Sequence, residues 1–155
     1  MDEAVNDEEI IITVAGPITA KQRARKRADG RFYTPLPTNA YEKLIQMEAV
    51  VAMMGRVRLN GAVRCDIRAE FAPPKSLSRK ERNALLGTYR TKKPDADNIA
   101  KLMDGLNGIV WEDDAQVCVV HVTKIYGEQN RLTFTVRAQE ERHAGSGGDS
   151  LWSVL

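Results

Sequence analysis

Residues 93–116 read KPDADNIAKLMDGLNGIVWEDDAQ. They gather Asp95, Asp97, Asp104, Asp113 and Asp114, with Lys101 among them. Carboxylates held together repel, by about 4 kcal/mol per pair at 4 Å in an effective dielectric near 20. A fold that collects several needs a cation between them. Aspartates without His or Cys select a hard, oxygen-seeking ion, Mg²⁺ or Mn²⁺. An EF-hand calcium loop opening at Asp95 is excluded. Its sixth and twelfth positions require Gly and Glu, and here they hold Ala100 and Leu106. A hard cation on a few aspartates is common equipment for phosphoryl transfer. Taken singly, each residue also has an ordinary role: Asp95 or Asp97 as a helix cap, Asp113-Asp114 as a polar turn, Lys101 as the i+4 partner of Asp97. The chemical reading belongs to the set.

These residues need elements to position them. A helix opening near Asp97 puts residues 97, 101 and 104 on one face. Ile99, Leu102, Met103 and Leu106 then form the opposite, core-facing stripe. Asp95 lies off the polar face and joins Asp97 only if the backbone at 94–96 is still extended. Pro94 favours that, because it blocks a preceding helical turn. Asn107-Gly108 ends the helix. A connection through Trp111 leads to Glu112-Asp113-Asp114, a turn able to swing a third carboxylate back toward the first two.

The whole chain sets the frame. Its 155 residues suit one domain with a sizeable core, and its net charge of +2 is unevenly spread. No apolar run is long enough to span a membrane, and no signal peptide opens the chain, so a cytoplasmic protein is expected. Cys65 and Cys118 form no CxxC pair and are expected as reduced core thiols; zinc is excluded for want of ligands. The glycines at 145–148 neither follow a strand nor open a helix, so there is no phosphate-binding loop. An acidic loose head (residues 1–9), a folded domain (10–139) and a flexible Gly-rich tail (140–155) are expected. Residues 10–15 read as a strand buried on both faces. Residues 21–33 are basic, with Lys21, Arg23, Arg25, Lys26, Arg27 and Arg31, and turn at Asp29-Gly30 as a hairpin. Phe32 and Tyr33 beside them offer stacking surfaces for bases. Such a patch is the electrostatic footprint of nucleic-acid binding.

A helix over 39–54, capped by Thr38, is expected to bury Ala40, Leu44, Met47, Val51 and Met54. Residues 62–72 alternate as a strand with one wet face. A short helix over 78–86 opens with the capping box Ser78–Glu81. A second basic region, with Lys75, Arg79, Lys80, Arg82, Arg90, Lys92 and Lys93, leads straight into the carboxylates. Residues 116–126 read as a buried strand with His121 packed in the core, and 131–137 as a strand pointing Leu132, Phe134 and Val136 inward. The sum is one α/β (α+β) domain, a mixed sheet of about four strands with helices packed on it.

The stretch 93–116 resembles the RusA family of Holliday junction resolvases, common in phages. The family pattern is D-x-D-N-[LI]-x-K-x-x-x-D-[AG]-L followed by D-D-x-Q. Here it is met by Asp95, Asp97, Asn98, Ile99, Lys101, Asp104, Gly105 and Leu106, then Asp113, Asp114 and Gln116. The KQRARK…GRFYTP and PPKSLSRK segments also look like family elements. One departure is Ala24, where relatives often have Pro. The resemblance runs over residues 10–137. It implies that Asp95, Asp97 and Asp114 are catalytic and bind metal and that Lys101 is the essential lysine, with Asp104 and Asp113 in support. It also implies Mg²⁺-dependent cleavage of DNA four-way junctions by a symmetric homodimer, with no small-molecule cofactor and no membrane. The competing readings are a module that grips branched DNA without cutting, and a partner-binding protein that docks through its last five residues.

Overall fold

Strict alternation of apolar and charged residues makes 63–71 a strand with one face to bury, and this strand organises the sheet. In the computed structural model, which describes residues 8–20, 25–33 and 36–140, the elements follow in this order. They are β1 (Ile10–Ala15), β2 (Arg25–Lys26), β3 (Phe32–Tyr33), α1 (Leu36–Ala52), β4 (Val63–Phe71), α2 (Arg79–Leu85), α3 (Ala96–Ala100), β5 (Val117–Tyr126) and β6 (Arg131–Ala138). Two 3₁₀ segments, Lys101–Leu106 and Asp114–Gln116, lie between α3 and β5. The head up to residue 7, Lys21, Arg23, the side chains of Arg25, Tyr33 and Thr38, and the tail from residue 141 with Trp152 lie outside what is described.

The main sheet runs β1-β6-β4-β5. β4 pairs parallel with β5 and antiparallel with β6, and β6 pairs antiparallel with β1. This is the expected four-stranded mixed sheet of an α+β domain. Val63, Cys65, Ile67, Ala69 and Phe71 point into the core with Leu132, Phe134 and Val136, as their alternation predicts. β2 and β3 form the small hairpin expected at Asp29-Gly30. α2 opens with the predicted capping box: Glu81 N–H donates to Ser78 Oγ at 3.1 Å, and Ser78 N–H donates to Glu81 Oε1 at 2.9 Å. Those bonds hold the Glu81 carboxyl below its usual range.

A parallel pair cannot be joined by a tight turn. The β4–β5 crossover therefore spans residues 72–116, and every candidate carboxylate lies within it. The core seals one face of the sheet beneath α1 and α3. Trp111, Ile99, Leu102, Leu106 and Val110 are fully buried there.

Several expectations are corrected. β1 is an edge strand whose exposure alternates, with Ile11 58% exposed, so only one of its faces is buried. α1 opens at Leu36, so Thr38 lies within the helix and is not its cap. It buries Tyr41, Ile45 and Ala49, while Leu44, Met47, Val51 and Met54 stay exposed, as does Ala40. The helix carries two apolar arcs, and close packing chose between them. A Cβ on Gly105 would lie 2.9 Å from Ile45 Cγ2, so the Ile45 arc meets a surface with no side chain to hold it off. β5 is the other edge strand and is half-exposed, Cys118 included, because α1 packs toward the β1 side. His121 stands on the open face of the sheet. Its Nδ1 lies 3.5 Å from Asp66 Oδ1 and 3.2 Å from Arg64 Nη2. Glu70, expected on that wet face, is instead buried under Arg131, whose Nε and Nη2 donate to it at 2.9 and 3.1 Å.

Candidate active site in the crossover

The chain enters the site along a pinned strap. Gly87 N–H donates to Tyr126 O, Tyr126 N–H to Thr88 O and Arg90 N–H to Lys124 O, at 2.9–3.0 Å. The Arg90 guanidinium lies 4.2 Å from the Phe71 ring centroid and donates to the carbonyls of Lys92 and Lys93. Lys124 Nζ donates to the Lys92 carbonyl at 2.7 Å. Arg90, one of the expected DNA-contacting cations, is thus part of the strap's scaffold. Lys75, Arg79, Lys80, Lys92 and Lys93 are exposed, and Arg82 is half-buried. In the hairpin, Lys26, Arg27 and Arg31 are exposed.

Asp95 follows Pro94 and caps α3 with extended backbone (φ −72°, ψ 152°), as the sequence requires. Its backbone carbonyl accepts from Asn98 and Ile99, but its side chain makes no capping bond. The carboxylate is therefore not consumed by the helix terminus. Asp97 is exposed in the first turn of α3. Lys101 is exposed as well and forms no ion pair among the described residues, so its ordinary role as partner of Asp97 is not realised.

The helix expected through Leu106 tightens after Ala100 into the 3₁₀ segment Lys101–Leu106. Ile99, Leu102 and Gly105 are buried at a spacing of three, which suits a 3₁₀ turn with three residues per turn. Lys101 and Asp104 also stand three apart, and so share one side of the segment. Asn107 then turns to extended backbone, and its Oδ1 accepts from Trp111 Nε1 at 2.6 Å. Gly108, at φ +78°, supplies the left-handed step between them.

The second carboxylate group is set by a clip that the motif alone did not reveal. Gln116 Oε1 accepts from the backbone N–H of Glu112 and Asp113 at 2.9 and 3.2 Å. Its Nε2 donates to the carbonyls of Leu59 and Gly61 at 3.0 and 3.1 Å. The Asp113 side chain accepts in turn from Gln116 N–H, which completes a capping box. D-D-x-Q is thus a turn lock. Asp113 serves as cap, and Asp114 is presented toward Asp104. The D-x-x-Q spacing carried this signal. Asp114 is pushed above the usual carboxylate range, first by a hydrogen bond to the side chain of Asp113, then by desolvation and by Asp104.

The structure therefore places Asp114 beside both Asp113 and Asp104 and sets Asp95 and Asp97 at the start of α3. Among the described residues, no three His, Cys, Asp or Glu side chains stand as a ready-made metal cage. The donor set nonetheless fits a hard cation. All donors are carboxylate oxygens, and the neighbouring carboxylates that help push Asp114 above its usual range are charges that an ion would neutralise. No described helix is long and apolar enough to cross a membrane.

The sequence profile described as Endodeoxyribonuclease RusA matches residues 15–137. A protein of Bacillus subtilis (strain 168), named Uncharacterized protein YqaN, is 34% identical over 137 residues, covering 83% of this chain and 95% of that protein.

Proposed function

The chain belongs to the RusA endodeoxyribonuclease family, and from that premise we propose that it is a Mg²⁺-dependent, structure-selective nuclease. It resolves four-way (Holliday) junctions in the cytoplasm by paired phosphodiester hydrolysis. The observation that carries this reading lies inside the matched stretch. The side chains of Asp95, Asp97 and Lys101 make no hydrogen bond or ion pair among the described residues, while Asp114 is held against like charge.

Asp95, Asp97 and Asp114 would hold the ion, Mg²⁺ or Mn²⁺, which supplies charge neutralisation at the scissile phosphate and a water of lowered pKa. Lys101 places a positive charge where the phosphate gains negative charge in the transition state. Asp104 supports the site by standing beside Asp114, and Asp113 locks the turn that presents Asp114. Lys75, Arg79, Lys80, Lys92 and Lys93, together with the hairpin cations, hold the flanking phosphates, which makes binding salt-sensitive.

A four-way junction has two-fold symmetry and needs two cuts, so the working unit is a symmetric homodimer. The exposed arc of α1 supports this. Leu44, Met47, Val50, Val51 and Met54 expose 46–73% of their surface along one side of the helix. Val57, 85% exposed, follows the helix, and clustered exposed apolar side chains mark an interaction surface.

The test is cleavage of a synthetic four-way junction beside linear duplex of the same sequence, with and without Mg²⁺. Paired nicks are expected in the junction alone, and only with the ion. Asp95→Asn is expected to keep the gel shift and lose at least about 100-fold in cleavage. If that variant nicks at the wild-type rate, the site assignment is wrong. The second reading, a branched-DNA-binding module, draws on Asp113, whose carboxylate is structural. It prevails if the wild type shifts junctions and never cuts them across a range of Mg²⁺ and Mn²⁺.

A further inference from the structure

Tyr89 is 77% exposed, although its backbone is fixed on both sides. It bridges Ile125 in an antiparallel pair, and its neighbours Gly87, Thr88 and Arg90 are hydrogen-bonded to the end of β5. Arg90, stacked on Phe71, and Lys124 fasten the strap from beneath. An aromatic ring is thus held in water on a rigid pedestal, which leaves little backbone entropy to lose when something packs on it. Along the chain, the exposed cations Arg79 and Lys80 precede the ring and Lys92 and Lys93 follow it, and the ring lies six residues before Asp95. Cations interleaved with an exposed aromatic form a surface that tracks a phosphate backbone and stacks a base.

We propose that Tyr89 is a stacking site for an unpaired or splayed nucleobase at the branch point. The flanking cations hold phosphates of any DNA, while the ring finds a partner only where a base has left its stack. Tyr89 would then contribute selectivity for branched over linear DNA, a role separate from the carboxylates and Lys101. Phe32, 70% exposed in the short β2–β3 hairpin, lacks this fastening to the main sheet.

The inference rests on the junction-nuclease reading. It is tested by binding of the full chain, in chelator so that nothing is cut, to a four-way junction carrying 2-aminopurine beside the branch and to linear duplex. Tyr89→Ala is expected to weaken junction binding about tenfold, to leave duplex binding within about twofold and to erase the fluorescence change. Tyr89→Phe should restore both signals, and Tyr89→Leu should not. Junction binding unchanged in Tyr89→Ala, an equal loss on junction and duplex, or rescue by Leu would each overturn the proposal. Wild-type protein that does not distinguish junction from duplex would remove the reading beneath it, a result read before any variant is made.

Discussion

At the scale of single residues, what matters is which polar groups the fold leaves unused. Asp95 caps α3 with its backbone alone, and Lys101 has no ion-pair partner among the described residues, so both remain available for chemistry. Asp114 is the opposite case, crowded by Asp113 and Asp104. Its pKa is raised in the folded state, so the folded state binds a proton more tightly than the unfolded chain. Native stability is therefore lost as pH rises from the ordinary carboxylate range through the raised value, where the proton leaves and like charges face each other. A divalent ion competes with that proton. The thermal stabilisation given by Mg²⁺ is thus expected to be small within the ordinary carboxylate range, near about pH 4, and larger at neutral pH. Asp114→Asn should flatten that dependence. Thermal melts of both proteins with and without Mg²⁺ check this, and an equal Mg²⁺ gain at both pH values would count against Asp114 as a ligand.

At the scale of elements, the crossover is two rigid pieces joined by a turn. α3 and its 3₁₀ continuation are seated by Ile99, Leu102 and Leu106 and by the contact of Gly105 with Ile45. The Asp113–Asp114 turn is fixed by Gln116, which ties it to the carbonyls of Leu59 and Gly61 before β4. Removing that side chain leaves backbone groups of residues 112 and 113 without their acceptor. Gln116→Ala is expected to destabilise the protein by about 1–2 kcal/mol, as for the loss of a cap, and to lower cleavage more than junction affinity. Gln116→Glu keeps the acceptor but loses the donor to Leu59 and Gly61, so it should recover only part of the stability. Denaturant melts beside cleavage rates separate the two effects. Loss of stability without loss of cleavage would show that the clip holds the fold and not Asp114.

At the scale of the molecule, one face of the sheet is sealed by helices and the other is open and polar, ion-paired through Arg64–Asp66 and Arg131–Glu70, with His121 Nδ1 3.5 Å from Asp66. The large apolar surface lies elsewhere, on the outer arc of α1. With a second copy as its occupant, Met47→Glu is expected to convert a dimer to a monomer in sedimentation. Paired cutting of a junction should give way to single nicks. The residue lies on a solvent face, so the monomer should stay folded by circular dichroism. A folded Met47→Glu dimer that still cuts in pairs would place the dimer contact on another surface.

The sequence alone was enough for whatever depends on local pattern. Alternation fixed the inward faces of β4 and β6, the Ser78–Glu81 spacing fixed the start of α2, Asp29-Gly30 fixed the hairpin, and Pro94 barred a helical turn ahead of Asp95. These follow from periods of two and from backbone sterics, which act within a few residues. It also singled out the chemistry of residues 93–116, because residue type sets metal preference whatever the fold. Tertiary structure decided the choices between locally equivalent solutions. α1 has two apolar arcs, and packing against β1 and against Gly105 selected Tyr41, Ile45 and Ala49. β5 reads as a buried strand, but its place at the sheet edge exposed His121 and Cys118. Which aspartates meet depended on how the β4–β5 crossover folds back and on a glutamine that bonds to carbonyls more than fifty residues earlier. Contacts of that range leave no period in the chain, so they become visible only once it is folded.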